Sequence, residues 1–233
     1  MQNPISILST KILLSNQKQA LLNAGFSVTE ADFIKTENTD FDFPSFGGVS
    51  EGRGGFKIND NLIFTSQNAV QSILQHPKAE ELKTKNVFCV GLKTKIVLSE
   101  SRFNVVAYTG YASDLAEIIT LIYANESFTF FSGNLRKETL PKALAAAKVK
   151  YNEIQVYETT LAPQKIKTPV DGILFFSPSA VESYLQDNKI KTEICFCIGN
   201  TTAEALEKTT KNIVIADQPS VEDVIEDVIE EFK

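Results

Sequence analysis

Histidine is almost absent from this sequence of 233 residues, in which His76 is the only one. A single histidine nearly excludes catalytic triads that use a histidine base, and it excludes zinc sites built on several histidines. His76 stands directly before Pro77 at the end of a helical pattern, and a residue before proline is disfavoured in the α region. We therefore interpret His76 as the exit of a helix.

Cysteine is also scarce, and Cys89, Cys195 and Cys197 all stand in apolar, strand-like runs. An odd number of cysteines in such settings indicates buried, reduced thiols, which are typical of a reducing cytoplasm. Cys195 and Cys197 would share one face of a strand, but two thiolates do not complete a tetrahedral metal site. We expect a cytoplasmic protein without a bound metal.

Long apolar runs and basic clusters are missing as well. No stretch approaches the roughly 20 apolar residues of a membrane-spanning helix, and the first residues lack the pattern of a secretion signal. The net charge of −6 comes without a basic cluster that would follow a phosphate backbone. We expect neither a membrane nor a nucleic acid as partner. We also expect a monomer, because no extended apolar repeat requires a second copy.

The sequence does contain short apolar strands that alternate with amphipathic helices, which predicts an α/β fold with parallel sheets flanked by helices. The helical pattern after the first strand ends at Gly25, which is placed as a left-handed C-cap. In the helical stretch SDLAEIITLI, either Ser113 or Asp114 is placed as the N-cap.

Part of this pattern is repeated. FTSQNAVQSIL (64–74) and FFSPSAVESYL (175–185) share a strand, a serine and a helix, and each is followed by a strand and a Gly-x-x-Thr turn, at 91–94 and 199–202. A second pairing joins 13–36 to 130–159 and places Ile34 opposite Tyr157. Either all α/β units look alike, or the chain contains two matched units of about a hundred residues, which is a usual domain size.

A glycine-rich segment at 43–60 has neither the GxxxxGK[ST] pattern nor the strand-to-helix context of a GxGxxG loop. We interpret it as a mobile surface loop.

Serine or Gly-x-x-Thr turns follow several predicted strands. Ligands of parallel sheets bind beyond the carboxyl ends of the strands, where unpaired N–H groups at helix N-termini favour carboxylates or phosphates. The hydroxyls either cap these helices or line an anion-binding cleft between the two units. Lys93, Lys95 and Arg136 either add positive charge there or are solvated surface residues. The candidate binding residues are Ser66, Asn68, Gly91, Thr94, Ser132, Gly133, Asn134, Ser177, Ser179, Gly199, Thr201 and Thr202.

In order along the chain, these motifs resemble those of the uroporphyrinogen-III synthase family. They are FTSQNAV, VGLKT, FFSGNLRKETLPKAL, IQVYETT around Tyr157, GILFFSPSAVESYL, CIGNTTAEAL and QPSVEDVIEDVI. The resemblance extends from about residue 60 to the C-terminus. The N-terminal part fits less well, because the family commonly has an arginine after its first strand. The run ILLSNQKQAL has Asn16, Gln17 and Lys18 instead.

The resemblance implies two flavodoxin-like α/β domains joined by a two-stranded linker. The first domain would comprise residues 1–36 together with 162–233, and the second, inserted domain would comprise residues 40–158. The linkers would lie at about 36–40 and 159–163.

The resemblance also implies a lyase of heme biosynthesis. Its reaction closes hydroxymethylbilane, a linear tetrapyrrole with eight carboxylates, to uroporphyrinogen III, with loss of water and inversion of ring D. No cofactor is implied, and transient contact with the preceding enzyme of the pathway is left open. Tyr157 matches the family's candidate tyrosine, and a phenol is a neutral proton donor at pH 7. Alternatively, Tyr157 is a strand residue at the edge of the core.

Two other functions compete with this interpretation. One is a non-catalytic two-domain protein that binds a small polyanion. The other is an enzyme that uses a nucleotide or flavin, which the sheet type alone suggests, although a fold does not define a function.

Overall fold

The computed structural model describes residues 4–41 and 58–233, and the glycine-rich segment falls largely outside these ranges. In chain order the strands are β1 Ser6–Ser9, β2 Ser27–Glu30, β3 Ile34–Asn38, β4 Asn61–Phe64, β5 Asn86–Val90, β6 Asn104–Thr109, β7 Ser127–Gly133, β8 Lys150–Leu161, β9 Gly172–Phe175, β10 Ile194–Cys197 and β11 Ile213–Ile215. The helices are α1 Ser15–Asn23, α2 Gln67–Leu74, α3 Ala79–Leu82, α4 Leu92–Glu100, α5 Ala112–Ile122, α6 Thr139–Ala146, α7 Pro178–Asp187, α8 Asn200–Glu204 and α9 Val221–Glu231.

These elements form two compact units, and the first is discontinuous in sequence. It consists of Met1–Lys35 with Thr160–Lys233, whereas the second consists of Thr36–Thr159. The first unit contains a sheet of order β11-β10-β9-β1-β2, and the other sheet has the order β3-β8-β7-β4-β5-β6. The pairs within β11 to β2, and those from β8 to β6, are parallel. The predicted α/β class with parallel sheets flanked by helices is confirmed.

The two sheets have the same arrangement with a different chain order. Strands β2, β1, β9, β10 and β11 occupy the positions that β8, β7, β4, β5 and β6 occupy in the second sheet. In the first unit this is the flavodoxin-like order 2-1-3-4-5, and the second unit is a circular permutation of it. The repeated strand–serine–helix stretches are therefore β4–α2 and β9–α7, at matching places in both sheets.

The second predicted pairing is displaced. The first strand is Ser6–Ser9, and the stretch ILLSN lies in the loop after it and at the start of α1. Ile34 begins β3, which neighbours β8 in the second sheet, so it is not the counterpart of Tyr157. β3 runs antiparallel to β8, because Thr36 faces Thr159 while the amide of Thr39 donates to the carbonyl of Val156.

Both sheets are covered on two faces, which explains why their strands are continuous apolar runs. In the second unit Phe64, Val70 and Phe131 pack on one face, and Phe88 and Phe128 pack with α5 and α6 on the other. The first unit is built in the same way, with α1 and α9 on one face and α7 and α8 on the other.

A ladder of asparagine amides crosses the amino ends of three strands in the second sheet. Asn61, Asn86 and Asn104 are in register on β4, β5 and β6. The amide of Asn86 donates to Asn61 at 3.1 Å, and that of Asn104 donates to Asn86 at 3.0 Å. These bonds fix the register at the edge of the sheet opposite to the candidate site.

Local predictions met with mixed outcomes. Gly25 follows α1 with φ +92°, as a left-handed C-cap requires. The N-cap of α5 is Tyr111, and Ser113 Oγ instead donates to Asp114, so that capping prediction was wrong.

The three cysteines are free and buried, and burial raises the pKa of Cys195 and Cys197 to about 12. Among the described helices, none has the length and apolar character needed to cross a membrane.

Candidate functional site

The strand order reverses once in each unit, and parallel sheets bind ligands beyond the carboxyl ends of the strands at such a point. In the first unit the reversal lies between β1 and β9, and in the second it lies between β7 and β4. In each unit a set of loop and helix-start residues follows the strands at this end of the sheet. We call each set the carboxyl edge of its unit.

Ser66 caps the helix that follows β4 in the second unit. Its Oγ accepts a hydrogen bond from the amide of Asn68 at 3.1 Å. The side chain of Asn68 is exposed at the first turn of α2. The cap satisfies one of the unpaired N–H groups, and the remaining ones point toward solvent with the positive end of the helix.

Ser132 has a different role from the predicted cap. It lies inside β7, is 3% exposed, and donates from Oγ to Glu153 Oε1 at 2.6 Å. Helix α6 begins only at Thr139, so no helix N-terminus adjoins this serine. Ser132 therefore holds a carboxylate of β8 and is not exposed to a ligand.

Gly133 and Asn134 make close contacts with β8 at the end of β7. Gly133 pairs with Tyr157 after a register shift, and a Cβ atom on Gly133 would lie 2.7 Å from the Tyr157 hydroxyl oxygen and closer still to the ring. The Asn134 side chain accepts from the amide of Thr159 at 2.8 Å and donates to the carbonyl of Thr159 at 3.0 Å.

Tyr157 is half-buried, and its ring packs against the core cluster of the second unit. Its ring lies over Gly133, which places the phenol at the end of β7. Within residues 4–41 and 58–233 the hydroxyl has no hydrogen-bond partner. A phenol in this position is available to donate to a ligand.

The two Gly-x-x-Thr motifs are helix starts rather than open turns. Gly91, with φ +89°, precedes α4, and Gly199 precedes the five-residue helix α8. Thr94 and Thr202 fall on the inner faces of these helices and are 4% and 1% exposed. Of the three predicted threonines only Thr201 is exposed.

Ser177 and Ser179 lie after β9 in the first unit. Ser177 Oγ accepts from the amide of Ala180 at 3.1 Å and lies 3.0 Å from Ser179 Oγ. Pro178 occupies the first turn of α7, where its missing N–H removes one donor. The caps of α2 and α7 are thus equivalent in place but differ in their free donors.

Three residues at the end of β1 and directly after it were missed by the sequence reasoning. Ser9 and Thr10 are buried at its end, and Thr10 Oγ1 donates to the carbonyl of Leu174 on β9 at 2.7 Å. Lys11 Nζ lies 4.6 Å from the centre of the Phe176 ring. Because the first strand is Ser6–Ser9, Lys11 is the basic residue that follows it. The strand ISIL ahead of Ser-Thr-Lys was the available signal.

Arg136 does not act as an unpaired cation. Its guanidinium bonds Glu153 at 2.6 and 3.0 Å and also contacts Glu138. The hydrogen bond to Glu153 raises the pKa of Arg136. Burial alone would raise the pKa of Glu153, but Arg136 and Ser132 hold it below its usual range. Lys95 Nζ in turn lies 4.3 Å from the centre of the Tyr108 ring.

Exposed large hydrophobic side chains occur in the strand-to-helix connections, although others lie within helices and strands, such as Leu121 and Ile122 in the last turn of α5. In the part of the chain that the structure describes, the helix-to-strand connections contain no exposed large hydrophobic residue. Those in the strand-to-helix connections are Ile12, Leu14, Tyr111 and Leu135, and Leu92 is the first residue of α4. The carboxyl edge of each unit therefore combines hydroxyls and free N–H groups with apolar side chains.

A recess of about 480 Å³ lies elsewhere in the second unit. It is lined by the last turn of α2, His76 and Pro77, together with residues 38–41. The last turn is the opposite end of α2 from Ser66, so this recess is not part of the carboxyl edge.

The comparisons with known sequences and solved structures indicate the same family. The model of a family described as uroporphyrinogen-III synthase HemD matches residues 16–226. The porphyrin biosynthesis protein HemD of Ruminiclostridium josui is 23% identical in an alignment of 189 residues that covers 72% of this chain. The chain spans only 37% of the length of that protein.

Solved structures show the same fold at low identity. The uroporphyrinogen-III synthetase of Helicobacter pylori 26695 has a TM-score of 0.70 and 20% identity, with 97% of this chain and 99% of that chain covered. A mutant uroporphyrinogen III synthase of the extremely thermophilic bacterium Thermus thermophilus has a TM-score of 0.67 and 13% identity, with 98% and 100% covered. This likeness concerns the fold, and it extends over both units.

Proposed function

The chain belongs to the uroporphyrinogen-III synthase family, and from that premise we propose that it converts hydroxymethylbilane to uroporphyrinogen III in heme biosynthesis. The enzyme is a cyclising lyase, which eliminates water and inverts ring D. The observation that carries the proposal is the Tyr157 phenol, which lies over Gly133 at a carboxyl edge with its hydroxyl unbonded among the described residues.

The reaction needs a proton donor and a site that holds a flexible polyanion. The C–O bond of the hydroxymethyl group breaks, and the oxygen leaves with an added proton as water. The ring D carbon that already carries the bridge to ring C attacks the remaining azafulvene and forms a spiro intermediate. The bond between ring D and that bridging carbon then breaks, which leaves a second azafulvene on ring C and lets ring D invert. The last carbon–carbon bond forms as one proton is released, so the proton supplied to the leaving oxygen is returned.

The substrate carboxylates are bound at the carboxyl edges by neutral donors and by Lys11. Helices α2 and α7 begin there with serine caps, and free N–H groups at a helix N-terminus favour an anion. Lys11 adds a cation at the end of β1. These local donors explain how a protein with a net charge of −6 binds a substrate with eight carboxylates.

The pyrrole rings need apolar contacts in addition to charge. Leu14 and Leu135 follow the equivalent strands β1 and β7 in the two units and are 65% and 55% exposed. Large side chains that remain exposed next to polar caps are suited to a ligand with flat apolar rings and a carboxylate rim. We assign these leucines to the ring faces.

Tyr157 is the proposed general acid. A weak acid beside the leaving oxygen assists loss of water, and general acid catalysis typically contributes about 10²–10⁴-fold. The rest of the acceleration comes from the folded conformation of the bound chain, in which ring D is held near the azafulvene carbon.

The test is to incubate the purified chain with freshly prepared hydroxymethylbilane and to separate the oxidised isomers. We expect the type III isomer. Exclusive formation of the uninverted type I isomer, as in spontaneous closure, would exclude the synthase and leave a binding protein for a small polyanion as the alternative. Tyr157→Phe is expected to lower kcat about 10²-fold or more with unchanged folding. An unchanged kcat would exclude Tyr157 as the acid.

We further propose a cytoplasmic monomer that meets the preceding enzyme of the pathway only transiently. The free, buried thiols of Cys89, Cys195 and Cys197 support a reducing compartment. Light scattering coupled to size exclusion should give a mass near 25.8 kDa. A dimer that persists on dilution would contradict this assignment.

A further inference from the structure

The oxygen and the nitrogen of the Asn134 side-chain amide both bond the main chain of one residue, Thr159. Its amide oxygen accepts from the Thr159 N–H at 2.8 Å, and its amide nitrogen donates to the Thr159 carbonyl at 3.0 Å. Both bonds have the geometry of ordinary strong hydrogen bonds. The amide nitrogen has a second N–H, and Asn134 is exposed, so its predicted binding role stays a prediction. The two bonds to Thr159 indicate a structural role in addition to it.

These two bonds extend the pairing of β7 with β8 past the end of β7. Backbone pairing reaches Gly133 and Tyr157 and includes a register shift just before them. Beyond this point the chain leaves the sheet toward α6, and the Asn134 side chain takes the place of the next backbone partner. It fixes Thr159, which lies two residues after Tyr157 on the same strand.

We call the two hydrogen bonds between Asn134 and Thr159 the clamp, and it lies next to Tyr157. On β7, Gly133 supports the Tyr157 ring, and its neighbour Asn134 holds Thr159. Tyr157 and Thr159 are thus held by two consecutive residues, the last residue of β7 and the first residue after it. A change in the position of this loop changes the position of the phenol.

A separate anchor holds the same loop at its far end. Arg136 bonds both oxygens of Glu153, which also accepts from Ser132. Because these contacts do not involve Asn134, its loss leaves the loop attached to β8. We expect an Asn134 variant to fold, with the register at Tyr157 loosened.

We infer that Asn134 is a positioning residue, which sets the Tyr157 hydroxyl for proton donation by clamping the main chain at Thr159. This inference depends on the proposed role of Tyr157 as the acid. It assigns Asn134 to the chemical step and not to the affinity for substrate. A bond made only to the protein affects kcat through geometry and leaves KM nearly unchanged.

The experiment is a double-mutant cycle on the full chain. Kinetic constants and the fraction of type III product are measured for wild type, Asn134→Ala, Tyr157→Phe and the double variant. Phenylalanine keeps the ring over Gly133 and lacks only the hydroxyl. A displacement of about 1 Å costs on the order of 10²-fold in rate, so we expect Asn134→Ala to lower kcat about 10–100-fold with KM within about twofold. In the Tyr157→Phe background we expect the same substitution to lower kcat less than about twofold.

Asn86→Ala is the matched control. Asn86 is also an asparagine whose amide bonds two partners in the same sheet, but it lies at the amino ends of the strands. The Asn86→Ala variant should lose about as much stability as Asn134→Ala, about 1–2 kcal/mol for two hydrogen bonds, and keep the wild-type kcat.

The outcomes separate the two hypotheses. If wild type forms only type I product, the proposed function fails. If Tyr157→Phe closes the ring at the wild-type rate, Tyr157 is not the acid and the positioning role is overturned with it. If wild type and Tyr157→Phe behave as expected but Asn134→Ala lowers kcat equally in both backgrounds, or raises KM alone, only the inference about Asn134 is overturned.

Discussion

The absence of a side chain at Gly133 is what permits the Tyr157 ring to lie against the end of β7, and Gly133→Ala tests its importance directly. A Cβ atom at this position would lie 2.7 Å from the phenol oxygen and closer to two ring carbons. Carbon atoms in favourable contact are about 3.5–4.0 Å apart. The ring therefore has to move by about 1 Å or more to clear the new methyl group.

The size of the effect follows from which group moves. The atoms in the way belong to the far end of a half-buried side chain, so the backbone of β7 and β8 need not be displaced. Overpacking of this kind costs about 1–3 kcal/mol, against a total stability of about 5–15 kcal/mol for an ordinary protein. We expect Gly133→Ala to remain folded. A shift of about 1 Å in a catalytic group costs on the order of 10²-fold in rate.

The assay follows ring closure with purified variants and separates type I from type III product. Gly133→Ala should lower kcat about 10²-fold and shift the products toward the spontaneous type I isomer. Gly110→Ala is the control, because a Cβ there meets nothing within 4 Å in the same unit. It should change neither kcat nor the isomer ratio.

The importance of Gly133 for the position of the phenol is refuted if Gly133→Ala folds, as judged by its urea midpoint, and closes the ring at the wild-type rate with wild-type isomers. Such a result would mean that the phenol needs no support from β7. Loss of activity together with loss of folding would instead show that the ring cannot move aside.

Three further outcomes are expected. Ser177→Ala should lower the free energy of unfolding by about 1 kcal/mol and raise KM, whereas Ser220→Ala, which removes the cap of α9, should cost similar stability without a change in KM. Glu153→Gln should make the free energy of unfolding depend less on pH in the acid range. The folded pKa of Glu153 lies below its unfolded value of about 4.3, so wild type loses this contribution as pH falls through the folded pKa, and urea midpoints at pH 3–7 should show it. Lys11→Met should raise KM about two- to fivefold and weaken its salt dependence.

Local signals in the sequence were sufficient for the capped helices. A strand followed by serine and an amphipathic helix places the hydroxyl near free N–H groups within one turn, so Ser66 and Ser177 were predictable as N-caps. The same local logic failed for Ser132. Its partner Glu153 lies on another strand, and the choice between a cap and a cross-strand bond depends on where α6 begins.

Register and helix phase account for the other differences. Thr94 and Thr202 were expected to be open to a ligand, but a helix that begins directly after glycine turns its third residue toward the core. Ile34 was paired with Tyr157 because two strand-like stretches, ISIL and ILLS, were equally good starts. The pairing of β1 with β2 and β9 decides between them, and this is a long-range property.

With the register that the structure shows, the two units differ in the groups that hold the loops after β1 and β7. In the first unit the loop after β1 is tied to the region after β2 by carboxylates, because Glu30 and Asp32 accept from the amides of Leu13 and Ile12. In the second unit the equivalent loop after β7 is tied to β8 by the neutral amide of Asn134 and, farther along, by the ion pair of Arg136 with Glu153, and a phenol lies beside Asn134. Glu30 is paired with Lys18, and carboxylates are poor proton donors near pH 7, whereas the phenol of Tyr157 has a proton to donate. A new carboxylate at the position of Asn134 would in addition repel an anionic substrate. The proton for the leaving water is therefore expected from the second unit alone. Replacing the neutral amide by a carboxylate in Asn134→Asp should reduce both kcat and substrate affinity.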